Sequence, residues 1–417
     1  MKYKLSQFAR ISIRGNRAII SSIKTGLSTK ISKECWEIMQ QWLNLGLTEK
    51  EFFAAFEDEG DREYFQGLVT ILRDNQLIVP SDLEEKWEMK SISVEVTHRC
   101  NLACRHCAVS AGTIREQEYH NFDRLIELLD RVIQLQPREI VITGGEPLVR
   151  ADIIPVLEHL KENYSGYLTL MTNATLITKE NVRKYLPYFY SWNISVDGVN
   201  EETCAAIRGK GVFAKVISAI HLLQSEGIEN ISLSMVETSG NEAYVEDFFA
   251  LCKKLNVFPM VREYAEEGRG KLNSDQLKPH EEKKSLEEAL AEAREIGNSN
   301  MPRESCYHCG AGQNEFHIDY RGDVYPCGPL TYPEFKICNV LEQADFVQYM
   351  RTGAYKSSDG YRNLDFYTPD NFPRCKDCPN NLFCWRCLSE TLLICKQPDR
   401  LEKWCQYSQL ELMHLWK

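Results

Sequence analysis

The sequence predicts an α/β protein with a small α+β module in front of it and a cysteine-rich region behind. Three observations predict this. Between residues 90 and 300 short apolar runs alternate with amphipathic helical patterns, residues 1–85 hold three strand patterns followed by three helical ones, and ten of the 16 cysteines fall between Cys306 and Cys405. The expected organisation is therefore 1–85, 90–300 and 301–417. At 417 residues with 43% hydrophobic content the chain can build several sizeable cores. A net charge of -11 argues against a nucleic-acid surface, which Lys and Arg dominate. No run of about 18 apolar residues spans a membrane, and MKYKLSQFAR has no apolar signal core, so the expected location is the cytoplasm. In such a chain, clustered cysteines read as metal ligands rather than disulfides.

FARISI, RGNRAII and TGLSTKIS gather β-branched residues around RGN and KTG turns, the pattern of a three-stranded meander. Residues 33–45 then place Cys35, Ile38, Met39, Trp42 and Leu45 on one helical face. Thr48 with Glu51 opens a second helix as a capping box, and a third runs from Asp61 to Asn75 with Phe65, Leu68, Val69 and Leu72 inward. Three strands and three helices make a winged-helix-like module. DNA binding would need a basic recognition helix, which this acidic chain lacks. LIVPSDLEEKWEMK, residues 77–90, reads as a linker.

ISVEV, EIVIT, YLTLMT, WNISVD, NISLSMVE and FPMVREY are six strands with helical patterns between them. Such alternation implies a parallel sheet with right-handed crossovers, and six units fall short of the eight that close a full barrel. Gly144, Gly145, Glu146 and Pro147 follow EIVIT directly, where glycines allow close approach of backbone to a ligand. Alone, that tetrapeptide would be an ordinary turn.

Residues 95–112 read EVTHRCNLACRHCAVSAG, with Cys100, Cys104 and Cys107 separated by three residues and then two. Three thiolates on a short loop can hold three irons of a cubane cluster and leave the fourth iron open for a ligand that is not protein. A zinc loop or structural thiols would be the plainer reading. The CxxxCxxC loop resembles the signature of the radical S-adenosylmethionine (SAM) superfamily. That resemblance implies an open partial (β/α)6 TIM-like barrel, with SAM chelated to the open iron and cleaved by an electron from the cluster. The 5′-deoxyadenosyl radical so formed abstracts a substrate hydrogen.

The resemblance also implies site residues. His106 would lie against the adenine, and the Gly144, Gly145 and Glu146 motif would bind the SAM ammonium. Asn173 stands in MTNAT where the family often has TNG, so that Ala174 departs from the pattern. Ser195 would contact the ribose or carboxylate, and Asp197 would order the following turn through backbone hydrogen bonds. Arg208 would pair with the SAM carboxylate, a task its bidentate fork suits; a surface arginine is the alternative. Glu263, Tyr264, Glu266, Glu267 and Arg269, at and just beyond the end of the sixth strand, would face the substrate side of the barrel. No side chain is assigned as a catalytic acid or base.

The C-terminal cysteines, in CYHCGAGQNEFHIDYRGDVYPCG and CKDCPNNLFCWRC, fit paired zinc ribbons poorly. They resemble the SPASM domain, with Gly322 ahead of Cys327 and two residues between Cys384 and Cys387 where the family usually has three. By that resemblance Cys309, Cys327 and Cys387 hold one auxiliary 4Fe-4S cluster, with Cys306 as a candidate fourth ligand. Cys375, Cys378, Cys384 and Cys405 hold another, Cys395 competing with Cys405 for the last position. Cys338 is unassigned. With the SAM cluster this makes three 4Fe-4S clusters.

The N-terminal module resembles, in its order of elements, the PqqD-like recognition element of enzymes that modify ribosomally made peptides (RiPPs). There a leader segment adds a strand to the module's edge, here about residues 26–31 beside the helix near 64–73, by β-augmentation. Together the resemblances imply a maturase that binds a precursor peptide, draws electrons from a flavodoxin or ferredoxin, and forms intramolecular thioethers. Carbon-carbon crosslinking or epimerisation is the alternative. Formylglycine formation as in sulfatase maturases is weaker, because the Asp that follows the GxxxxC cysteine in that subfamily is Gly328 here. A protein that only carries electrons would leave the GGEP motif and Arg208 without purpose.

Overall fold

The computed structural model describes residues 1–279, 285–299 and 305–417. The expected boundary at 300/301 lies outside the described residues. The chain divides into two compact units: one combines Met1–Trp87 with the described parts of 283–311 and with Asn363–Lys417, the other combines residues 88–282 with Gly312–Arg362.

In the first unit, β2 (Ala9–Arg14), β3 (Arg17–Ser22) and β4 (Ser28–Ser32) form an antiparallel meander with β3 in the middle, while β1 (Tyr3–Leu5) pairs separately with β5 (Ile78–Pro80). Helices α1 (Lys33–Leu45), α2 (Glu49–Ala54) and α3 (Glu59–Asp74) follow the meander. Ser32 caps α1, which ends at Gly46 in the left-handed region with φ 60°, and Thr48 and Glu51 form the expected reciprocal capping box of α2. Helix α3 starts before Asp61, because Asp58 accepts the Asp61 N–H and serves as its N-cap. Trp42 stacks on Phe52 at 4.6 Å in a core shared with Ile20, Met39, Leu72, Leu77 and Ile78.

The segment read as a linker is tied to the module as far as Glu85. Leu77, Ile78 and Val79 are buried because β1 supplies a partner strand, and Glu85 accepts hydrogen bonds from Ser6 Oγ at 2.6 Å and Gln7 N at 2.8 Å. Strand β3 is buried on both faces. Ala18 and Ile20 face the first core, whereas Ile19 packs against Cys306, Leu382, Phe383, Leu412 and Leu415. The meander therefore shares a core with the C-terminal helices, among which Leu286–Asn298 packs on Pro398–Glu411. That helix pair is close enough for a Cβ at Gly297 to clash with the Leu410 carbonyl.

In the second unit, β6 (Ser91–Thr97) continues into the short β7 (Arg99–Cys100), which pairs with β8 (Gly112–Thr113). Strands β9 (Glu139–Gly144), β10 (Tyr167–Thr172), β11 (Ser191–Ser195), β12 (Ile231–Val236) and β13 (Phe258–Arg262) join β6 in one parallel array, order β13-β12-β11-β10-β9-β6. Helices α4 (Phe122–Gln134), α5 (Ile153–Asn163), α6 (Val182–Tyr185), α7 (Glu201–Arg208), α8 (Val212–Ser225) and α9 (Val245–Leu255) fill the connections. Because the order is sequential, right-handed crossovers put them on one face. Ile92, Val94, Ile140, Ile142, Leu170, Trp192, Ile194, Ile231 and Leu233 are buried on that face. The alternating residues, including Ser93, Glu95, Thr169, Asn193, Ser195 and Arg262, make the opposite face polar.

The six expected strands are thus present. Unexpectedly, the sheet continues on the other side of β6 through β14 (Glu315–Ile318), β15 (Asp323–Tyr325) and β16 (Cys338–Asn339). Ser93 Oγ lies 2.8 Å from His317 Nδ1, and Glu95 accepts the Tyr320 N–H at 3.2 Å, tying this extension to β6 on its polar face.

Candidate active site

The three loop cysteines are free thiols at the C-terminal end of β6. Each has a nitrogen donor directed at its sulfur. Leu102 N lies 3.3 Å from Cys100 Sγ, Ala111 N 3.4 Å from Cys107 Sγ, and Arg208 Nη1 3.9 Å from Cys104 Sγ. Burial, with the charges of Glu146, Cys104 and Cys107, pushes the Cys100 thiol up to about 11, although the Leu102 amide opposes that rise. Burial also raises Cys104, against the pull of Arg208. This donor set fits an iron-sulfur cluster, whose sulfur ligands accept such hydrogen bonds and whose iron holds them as thiolates. Among the described residues no three His, Cys, Asp or Glu side chains converge as they would on a single metal ion. A cubane needs no such convergence, since each sulfur binds a different iron.

Gly144 and Gly145 approach the chain's own backbone. Gly145 N donates to Thr97 O at 2.9 Å and Glu146 N to Arg99 O at 2.8 Å, locking the end of β9 to the strand that delivers Cys100. A Cβ at Gly144 would collide with Thr97 O and one at Gly145 with Arg99 O, and Gly144 has φ 139°. Gly145→Ala should therefore push the cysteine loop off β9. The expected result is a loss of about 1–3 kcal/mol in stability, in the range of overpacking, and less iron per chain after reconstitution. Unchanged melting and iron content would refute the lock.

Glu146 is fully buried and accepts from Leu148 N, Thr172 Oγ1 and Asn173 N at 3.1, 2.8 and 2.7 Å. Burial raises its pKa against these three donors. Asn173 Nδ2 reaches Asn101 Oδ1 at 3.0 Å and Cys100 Sγ at 3.8 Å, so the residue steadies the cysteine loop. Ala174 has φ 55°, a left-handed backbone that favours glycine and explains the usual TNG.

Asp197 does more than order a turn. Its Oδ2 contacts Arg208 Nε at 2.5 Å and His106 Nε2 at 2.8 Å, and its Oδ1 accepts the Val236 N–H at 2.7 Å. The carboxylate is wholly buried, and burial opposes its charge. Arg208, His106 and the Val236 amide nevertheless hold its pKa below the usual carboxylate range. Arg208 is buried as well; burial works against its charge, but Asp197 and Cys104 keep it firmly protonated. His106 and Arg208, from separate motifs, are thus joined through one carboxylate at the cysteine loop. Ser195 stands at the end of β11, opposite Ser234 of β12.

Arg269 turns its guanidinium onto the cysteine loop. Its Nε donates to Cys104 O at 2.9 Å, its Nη1 to Ala111 O at 2.7 Å, and its amide to Cys107 O at 2.9 Å. Gly268 has φ 50°, and a Cβ there would strike Ala108 O. This clasp on the cysteine loop went unread in the sequence; the two glycines flanking Arg269 were its only signal. Burial raises the pKa of Glu267, while the neighbouring Tyr332 and Thr331 hydroxyls oppose the rise.

In the first unit, Cys375, Cys378 and Cys405 all bear on Cys384, whose thiol burial pushes far up. Cys395, raised by burial to about 12, also feels Cys375 and Cys405, so it keeps company with the same group. Cys309 and Cys387 both act on Tyr307, itself raised mainly by burial. Cys306 is packed with Ile19 and Leu382, its thiol 3.4 Å from Ser22 O. Cys327 and Cys338 belong to the second unit, and burial pushes Cys338 up to about 12.

Residues 94–258 match the radical SAM superfamily, and residues 309–379 match SPASM, an iron-sulfur cluster-binding domain. The mycofactocin maturase MftC of Mycolicibacterium smegmatis is 28% identical over 301 residues, covering 68% of this chain and 74% of that protein. The antilisterial bacteriocin subtilosin biosynthesis protein AlbA of Bacillus subtilis is 26% identical over 265 residues, covering 60% of this chain and 57% of that protein. Streptococcus suis SuiB bound to precursor peptide SuiA shares the fold with a TM-score of 0.52 at 15% identity, over 92% of this chain and 94% of SuiB. With the three-thiol loop at the end of β6, the chain is an enzyme whose residues 94–258 are similar to the radical SAM superfamily and whose residues 309–379 are similar to the SPASM domain.

Proposed function

We propose that this enzyme is a maturase that installs intramolecular thioethers in a ribosomally made precursor peptide, holding the peptide's leader on residues 1–85. The observation that carries the reading is the end strand of the meander. Strand β4 closes the sheet order β2-β3-β4, and the C-cap of α3 reaches it, with Asn75 Nδ2 donating to Thr29 Oγ1 at 3.0 Å. Tyr64 and Ile71 of α3 are 50% and 48% exposed, as is Leu27 at 48% just before β4. An extended leader could add to that strand and bury these side chains, the pattern of β-augmentation. The similarity to MftC, AlbA and SuiB, whose names concern maturation, bacteriocin biosynthesis and a precursor peptide, supports a peptide substrate.

When bound, the cluster at Cys100, Cys104 and Cys107 together with SAM would supply hydrogen-atom abstraction. The chain's own residues hold that loop through Gly145, Asn173 and Arg269, and hold Arg208 and His106 together through contacts with Asp197. Two auxiliary clusters complete the proposal, one on Cys309, Cys327 and Cys387 with Cys306 as a candidate fourth ligand, the other on Cys375, Cys378, Cys384 and Cys405. They would accept the electron that the oxidised peptide must lose, and a flavodoxin or ferredoxin would reduce the SAM cluster in the cytoplasm.

Co-expression with the precursor and mass spectrometry tests the function. A thioether lowers the peptide mass by about two hydrogens per bond and removes an alkylatable thiol; the same mass loss with thiols intact means a carbon-carbon bond, and no mass change means epimerisation. Leader binding has its own test. Because Ile19 of β3 is buried against the C-terminal helices, deleting residues 1–85 would expose that core. Tyr64→Asp with Ile71→Asp leaves it intact, and should weaken leader affinity about tenfold or more, as loss of a hydrophobic hot spot does, while SAM cleavage persists. Unchanged affinity would remove the module from the proposal.

A further inference from the structure

Strand β13 ends at Arg262, whose carbonyl accepts the Glu237 N–H at 2.8 Å. Its side chain alternates with Val261 onto the polar face of the sheet, the face of Met260, where Asn193 Nδ2 lies 3.7 Å from the Met260 sulfur. The other arginines near the site are committed. Arg208 is spent on Asp197 and Cys104, Arg269 on the Cys104 and Ala111 carbonyls, and Arg150 on Val96 O and Asp152. Arg262 differs: its Nε is buried, and among the described residues its guanidinium makes neither a hydrogen bond nor an ion pair. Asn193 Oδ1, on the same face, is a second buried polar atom without a hydrogen-bond partner.

The charge around Arg262 is unbalanced. Asp197 is the carboxylate that acts on it, yet Asp197 already contacts Arg208 and His106, and the Arg208 charge repels Arg262. Burial works against the Arg262 charge, and a partly buried guanidinium with its Nε cut off from water favours an anion that can reach its open end. We propose that Arg262 is a carboxylate-binding residue at the C-terminal ends of the strands, where its planar fork can hold a carboxylate in two parallel hydrogen bonds. Two carboxylates could enter there. One is on the amino-acid end of SAM, and the other is an acidic side chain of a peptide substrate. The second source rests on the proposed function; the first does not.

The test uses the reconstituted full-length protein with Arg262→Met and Arg262→Lys, iron content being checked first. Binding of SAM and of decarboxylated SAM is measured by equilibrium dialysis. Binding of a synthetic pentapeptide carrying one Glu is compared with that of its Gln counterpart. If Arg262 holds the SAM carboxylate, Arg262→Met weakens SAM about 10- to 100-fold, the size of a lost charge-assisted hydrogen bond, and leaves decarboxylated SAM unaffected. If it holds a substrate carboxylate, SAM affinity stays and the Glu-over-Gln preference disappears. In either case Arg262→Lys restores part of the loss. Unchanged affinity for SAM and both peptides would overturn the proposal. So would equal weakening of SAM and decarboxylated SAM, or Arg262→Lys behaving as Arg262→Met, since each points to a packing role.

Discussion

Replacing Cys100, Cys104 and Cys107 with Ala is expected to reduce 5′-deoxyadenosine formation to background. Three sulfurs at the end of β6, each met by a nitrogen donor at 3.3–3.9 Å, are the ligands this loop offers. Losing even Cys104 removes the most buried of them and leaves the Arg208 charge facing an empty space. The reconstituted protein should hold about twelve irons if all three clusters are 4Fe-4S, and the triple variant about eight, at four irons per cubane. Chromatography of the reaction products and an iron assay read the two quantities separately. Continued SAM cleavage by the triple variant would refute the assignment, whereas a drop well below eight irons would mean that the loop also supports the auxiliary sites.

The next largest effect is expected from Asp197→Asn. The substitution keeps shape but removes the charge that balances buried Arg208, and breaking a buried pair from one side costs about 3–5 kcal/mol. Because the folded-state pKa of Asp197 is depressed, its contribution is fully present above the ordinary carboxylate pKa and is lost as pH falls through the folded value. The stability gap between wild type and Asp197→Asn should therefore be constant from neutral pH down to about 4 and narrow below it. A gap independent of pH would show that the carboxylate is not charged in the fold. Arg208→Met in the Asp197→Asn background should cost much less than in the wild type, because the two residues contact each other.

What could be read from the sequence was whatever repeats with a period or sits in a short fixed spacing. The six strands of the parallel array, the Thr48 and Glu51 capping box and the three-cysteine loop are of that kind. Strands β1 and β5 were missed because three residues carry no period, and each is explained only by the other. The joining of β14 to β6 was missed because the two strands lie more than 200 positions apart in sequence. The same holds for the site. Asn173 and Arg208 were legible as motif positions, but the convergence of His106, Asp197 and Arg208 needs three segments brought together, and Asp197 alone looked like a turn residue. Arg269 was noticed as a charge, yet its three hydrogen bonds to the cysteine loop arise from a glycine-flanked bend that no pattern announces.

The strand β14 that follows the last barrel strand covers what would otherwise be the bare flank of β6, the strand feeding the cysteine loop. A barrel expressed without residues 312–340 would offer that flank's amides and carbonyls to any passing chain, and such rows recruit strands from neighbours. The insoluble product expected from that truncation would come from self-association at one seam, and supplying the missing segment as a separate polypeptide during refolding should suppress it.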